Sequence, residues 1–163
     1  MKVNKVESTN VITYRGRVTV QFLKGKKCYK TLDIKNSGTL DFFRILCNAV
    51  IGNNCQDQMP NCIGIIGTAQ GGTSDTNLTS VRVHYTTATV SETLSQCYAE
   101  FSFVIPGTML RSGTAKKLRL YNSTSDTAGY LAEVSLGSSE QFDISAGSNL
   151  MITWNLSFQD VEG

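Results

Sequence analysis

Leu150, Ile152, Trp154, Leu156 and Phe158 alternate with Met151, Thr153, Asn155 and Ser157. Unbroken period two sends all the large apolar side chains to one face of an extended chain. A helix would scatter them around its axis, so this stretch is a strand with one buried face. A second long alternation opens the chain. Ile12, Tyr14, Val18, Val20 and Phe22 share one parity with Gly16, and Thr13, Arg15, Arg17, Thr19 and Gln21 share the other. It predicts a half-buried strand with a basic outer face, in which Gly16 marks a bulge or a close backbone approach.

Between these two runs the same period recurs in shorter pieces. Lys24-Gly25-Lys26 reads as a hairpin turn, and residues 27–34 as the return strand. Further strands are expected at 62–66, 81–85, 97–105, 117–121, 130–136, 142–144 and 150–158, with residues 86–96 read as a turn region. One stretch departs from the pattern. Leu40, Phe43, Cys47 and Val50 recur at helical spacing with Leu46 beside them. Ser37 or Thr39 can cap the N-terminus, Asp41 lies in the first turn, and Gly52 ends the segment. The expected fold is all-β: a single antiparallel β-sandwich of about nine strands with one short α-helix near residues 39–51. Residues 1–163 form one domain, with 1–35 as a projecting basic N-terminal hairpin and 36–163 as the body.

Composition agrees. The chain has 34 Ser and Thr residues, 14 Gly and 2 Pro, a mixture that favours strands and tight turns. Its 163 residues are 40% hydrophobic and 17% charged, enough for a core without staples. No apolar stretch approaches the ~20 residues of a membrane helix. Met1-Lys2-Val3-Asn4-Lys5 lacks the apolar run of a signal peptide, so synthesis in a cytosol is expected. Cys28, Cys47, Cys55, Cys62 and Cys97 are then read as free, buried thiols; a Cys55–Cys62 bridge is unneeded.

The net charge of +2 hides an asymmetry. Residues 1–30 carry a net +7 and residues 120–163 a net −6. Such a split suits three partners: nucleic acid along the basic hairpin, an acidic protein surface, or solvent, where lysines keep a strand edge soluble.

Signals for catalysis are sparse. His84, the one histidine, lies on the parity opposite Val81, Val83 and Tyr85, which directs it to solvent or a partner. There is no CxxC or HxxxH, and Cys55 and Cys62 are spaced too widely for a zinc knuckle. Gly67-Thr68-Ala69-Gln70-Gly71-Gly72 has the glycine spacing of a phosphate loop but lacks its lysine. No catalytic residue, metal or cofactor is assigned.

One ordered set of segments carries a resemblance. Pro60-Asn61-Cys62-Ile63-Gly64-Ile65-Ile66-Gly67-Thr68 is followed by Thr73-Ser74-Asp75-Thr76-Asn77-Leu78 and Val81-Arg82. Glu100–Pro106, Leu118–Tyr121, Tyr130–Val134 and Leu150–Trp154 then follow in order. Together they resemble small β-sandwich structural proteins of tailed-bacteriophage virions, over residues 36–160. Lys117-Leu118-Arg119 and Gly71-Gly72 depart from that pattern. The resemblance implies a non-enzymatic virion protein, made in the host bacterial cytoplasm. It would assemble in multiple copies with itself and other virion proteins as a tail, neck, collar or head-decoration subunit.

Charge complementarity would supply the contact. Arg15, Arg17, Lys24, Lys26 and Lys27 of one copy would meet Glu133, Glu140, Asp143, Asp160 and Glu162 of the next. The alternative is a carbohydrate- or host-surface-binding module of a phage fibre, with Tyr85, Tyr98 and Tyr130 as its aromatic contacts.

Overall fold

The computed structural model describes residues 11–24, 26–38, 44–45, 47–49, 52–54, 58–92, 96–122 and 129–161. These form β1 (Val11–Lys24), β2 (Lys27–Gly38), β3 (Cys62–Ala69), β4 (Asp75–Asn77), β5 (Val83–His84) and β6 (Thr87–Glu92). They continue with β7 (Gln96–Ile105), β8 (Gly113–Tyr121), β9 (Ala132–Ser135), β10 (Phe142–Ile144) and β11 (Asn149–Val161). A single 3-10 turn, Gly107–Met109, separates β7 from β8. The fold is all-β and sandwich-like, and every strand pairing is antiparallel.

One sheet runs β2-β1-β11-β7-β6 and the other β4-β3-β8-β9. On the second sheet, β5 shares the outer side of β3 with β4, and β10 pairs with β8 beyond the reach of β9. The last two residues of β2 join the sheets, with Ser37 opposite Glu133 and Gly38 opposite Ala132.

The core follows from the alternations. Val18, Val20 and Phe22 of β1 and Leu150, Ile152, Trp154 and Leu156 of β11 are buried. They share a hydrophobic cluster with Ile63 and Ile65 of β3, Leu118 and Leu120 of β8, and Phe142 and Ile144 of β10. Phe22 meets Phe142 edge-on between the sheets, with ring centroids 5.0 Å apart, a geometry that suits the aromatic quadrupole. Trp154 lies between Val18 on β1 and Phe101 on β7 in register and is fully buried.

Several details differ from the sequence reading. The N-terminal hairpin forms but is no projection, because β1 lies between β2 and β11. Gly16 stays in continuous register, and the irregularity falls between Phe22 and Leu23. Ser37 is a strand residue rather than a helix cap, because β2 runs on to reach β9. Residues 44–45 and 47–49 are helical, and Gly52 follows with φ +83°. Ile45 is buried there and Cys47 exposed, so the described part of the helix turns a different face inward. The rest of the expected helix lies outside the described residues. Residues 87–92 form a strand, not a turn.

Gly67 lies where β3 shifts register against β8, between Ile66 and Gly67. A Cβ at Gly67 would collide with the Thr114 carbonyl oxygen, a backbone atom that cannot move aside cheaply. Gly129 has nothing within 4 Å of such a Cβ. Gly67→Ala is therefore expected to lower unfolding stability by about 1–3 kcal/mol. Gly129→Ala is expected to leave it unchanged or slightly raised. Urea denaturation of both variants checks this.

Candidate functional site

The first sheet has two edges of unlike character. At one, β2 is covered by β9 only at Ser37 and Gly38, so most of its outer side is open. That edge carries Lys27, Lys30 and Lys35, all exposed. Lysine side chains along an edge obstruct pairing with another strand. Lys24 and Lys26, also exposed, extend the cluster around the hairpin turn. This basic group therefore guards an edge.

The opposite edge is β6, Thr-Ala-Thr-Val-Ser-Glu. Among the described residues its one partner in the sheet is β7, and their register is continuous from Thr87 opposite Ser102 to Glu92 opposite Cys97. Residues 87–91 are all exposed, and Val90 is 74% exposed. The strand has no lysine, no proline and no bulge. Val104, Tyr85 and Val81 add exposed apolar surface, and the Tyr85 ring lies 5.9 Å from that of Phe101 in β7.

Four of the charged residues expected to join neighbouring copies, Arg17, Glu133, Glu140 and Asp143, have partners within their own chain. Arg17 donates to both carboxylate oxygens of Asp33, diagonally across β1 and β2, with Nε to Oδ1 at 2.6 Å. Glu133 accepts from Arg119 at 2.6 Å, directly opposite in register, and the Arg119 guanidinium lies 4.4 Å over the Tyr130 ring. Asp143 accepts from Thr114 at 2.7 Å, and Glu140 from the Gly137 amide at 2.8 Å.

Arg15 and Asp160 occupy neighbouring strands, with Asp160 opposite Ile12; their side chains lie outside what is described, as does all of Glu162. The basic and acidic ends of the chain are thus drawn together by β1 and β11.

Hydrogen bonds set the acid response. The Arg17 hydrogen bond, opposed by slight burial, holds the Asp33 carboxyl below its ordinary pKa. Lys116, 2.9 Å away, does the same for Asp75, with smaller help from Thr68 and Lys117. Burial disfavours the Arg119 charge, but Glu133 and Tyr121 outweigh it, so its pKa is raised.

A third cluster surrounds β3 and β5. Cys62 and His84 are register partners, with Sγ 3.6 Å from Nδ1. The thiol also donates to Asn61 Oδ1 at 2.7 Å. A thiol, an imidazole and an amide in contact suggest a nucleophile set, but two features oppose it. Cys62 is fully buried, and burial pushes its pKa up, against a weaker opposing pull from Arg82. A working nucleophile needs the thiolate and an approach for substrate.

His84 is exposed, as its parity opposite Val83 directs, but Arg82, two residues earlier, does not share its outward direction. It is instead 5% exposed and stacks 3.5 Å over the Tyr121 ring, while Val81 faces solvent. The chain becomes regular only at Val83, so parity read from Val81 is inverted.

Elsewhere, Cys28, Cys47 and Cys97 are free and exposed rather than buried, and Cys62 is free. Cys55 lies outside the described residues. The glycine-rich segment is a hairpin loop: Gly72 donates to the Ala69 carbonyl at 2.8 Å, Gly71 takes φ +77°, and β4 follows. Beside it is an open groove of about 410 Å³ lined by Thr68, Gln70, Ser112, Thr114, Asp143 and Ser145 among others, with no aromatic side chain. Of the tyrosines expected to contact a carbohydrate, Tyr85 packs on Phe101 and Tyr130 under Arg119; the side chain of Tyr98 is not described. No helix among the described residues is long and apolar enough to cross a membrane, and no cluster of three metal-ligating side chains occurs among them.

Comparison of the chain with protein-family models, curated proteins and solved structures finds no match.

Two predictions follow from these local environments. Asp33 and Asp75 have folded-state pKa values below their unfolded ones. Their stabilising contribution is complete above the unfolded value of about 4 and is lost as pH falls through the lowered folded values. An Asp33→Asn/Asp75→Asn variant is expected to show a smaller fall in urea midpoint between pH 6 and pH 3 than the parent chain. Second, brief iodoacetamide treatment of the native protein is expected to label Cys28, Cys47 and Cys97, but Cys62 only after unfolding. Peptide mass spectrometry reads the order, and rapid labelling of Cys62 would contradict its assignment as a packed thiol.

Proposed function

We propose that this protein is a non-enzymatic structural subunit of a tailed-bacteriophage virion, present in multiple copies as a tail, neck, collar or head-decoration component. The observation that carries the reading is the open β6 edge. An edge strand without lysine or proline, unpaired on one side among the described residues and with exposed apolar neighbours, is an aggregation hazard for a protein that works alone. In a subunit that works in an assembly, it is a joint. The guarded β2 edge strengthens the contrast, since the same sheet protects one side and leaves the other bare.

The chemistry of the Cys62 cluster favours this reading over an enzymatic one, because its thiol is enclosed and burial pushes its pKa up, away from the thiolate. The order of segments across residues 36–160 supplies the virion context. Charge complementarity is given a smaller part in the proposed contact, since Arg17, Glu133, Glu140 and Asp143 are engaged within the chain. Main-chain pairing and apolar contact take the larger part.

Purified source particles test the assignment. The chain is expected in their protein complement at several copies per particle, with sandwich-shaped density at symmetry-related positions in electron micrographs. Recovery of the chain only from the soluble fraction of infected cells, with none in washed particles, would refute a virion role.

A further inference from the structure

The open edge specifies more than the fact of assembly. On the reading that this is an assembling subunit, we propose that two copies join through β6 of each, antiparallel, about a two-fold axis normal to the sheet at Val90. The two five-stranded sheets then become one continuous sheet.

The register follows from symmetry. A two-fold axis normal to a sheet keeps the same face up in both copies, so directly opposed residues must have the same parity. The axis therefore falls on a residue and its own counterpart. Val90 is the most exposed large apolar side chain reported for the described residues, at 74%. Placing it on the axis sets it against Val90 of the second copy, a favourable β-branched cross-strand pair. Thr89 then opposes Ser91, and Ala88 opposes Glu92. The continuous pairing of β6 with β7 leaves alternate amide and carbonyl groups of β6 directed away from β7, toward the partner.

Charge placement selects this arrangement over a parallel one. Glu92 is the one charged residue of β6. In the antiparallel register the two Glu92 positions are four residues apart along the ladder, about 14 Å, beyond the Debye length at physiological salt. An in-register parallel pairing would bring them to neighbouring positions about 5 Å apart. The rival edges fit less well. β2 is guarded by Lys27, Lys30 and Lys35, and β4 is three residues long with Asp75 tied to Lys116. Among the described edges, β6 is complementary to itself.

Light scattering of the full chain across a concentration series tests the proposal. The parent protein is expected to approach twice its 17.8 kDa subunit mass. Val90→Lys and Val90→Glu should each weaken the dimer by at least about tenfold in Kd, because each sets like charges face to face at the axis. Mixing the two variants should restore a dimer, since Lys then opposes Glu. Ser139→Lys, at an exposed turn position outside β6 and its apolar surroundings, should leave the mass unchanged.

Val90 is exposed, so these variants are expected to fold; an unchanged circular dichroism spectrum and a cooperative urea transition verify it. A monomeric parent chain at high concentration would overturn the β6 pairing. So would dimers that persist in the separate Val90 variants, and that result would leave self-assembly standing through another surface. A mixture that stays monomeric would overturn the register. The virion assignment is judged separately, by the presence of the chain in purified particles.

Discussion

Antiparallel pairing of β1 with β11 is the constraint on which the rest of the structure depends. It runs through thirteen register positions, from Val11 opposite Val161 to Leu23 opposite Asn149. It joins the first described strand to the last, the most costly kind of loop closure in the chain. In return it makes both strands interior. β1 gains β2 on its other side and β11 gains β7, so the apolar parity of each is covered by neighbours within the sheet and by β3, β8 and β10 across the core. Without that pairing, Trp154 would lose Val18, and the β11-β7-β6 half of the sheet would have no anchor to β2.

The same pairing governs the electrostatics. A charge split between the two ends of a chain produces a dipole only if the ends are apart. Here the N-terminal strand lies beside the C-terminal one, while Asp33 on β2 takes up Arg17 and Glu133 on β9 takes up Arg119. The lysine group on β2 and its turn faces outward. Exposed ion pairs contribute little to stability and are screened by salt. These charges therefore act mainly on what can approach the sheet, and at β2 they keep another strand from pairing.

Much of this fold was legible in the sequence, and where it was not, the reason is physical. Leu150–Leu156 and Val18–Phe22 declared themselves because each buries one face of a long strand, and period two is the trace of that burial. β6 left no such trace. An edge strand outside the core needs no apolar alternation, and Thr87–Glu92 holds a single large apolar residue, Val90. The candidate interface was invisible for the property that makes it one. Arg82 was misplaced because alternation was extended across an irregular segment, where stacking on Tyr121 decides the side chain's direction. The Cys62–His84 contact links residues far apart in the chain through the β3–β5 register, which local patterning cannot supply. The basic cluster was visible as composition, and edge protection was among its readings; choosing that one required knowing that β2 is an edge.

Unequal edges also limit what kind of assembly this sandwich can enter. If both edges of the first sheet were bare, copies would add without end, as in a growing fibril. If both were guarded, the sheet would be inert. One guarded edge and one self-complementary edge of the first sheet would allow a single pairing that closes on itself and uses the unguarded β6 strand. Further growth must then use the sheet faces or the loops, where Thr68, Ser112, Thr114 and Asp143 line an open polar groove. On the proposed reading, the subunit would close into a pair first and join a larger symmetric object second. The lysines of β2 are what keep those two stages separate.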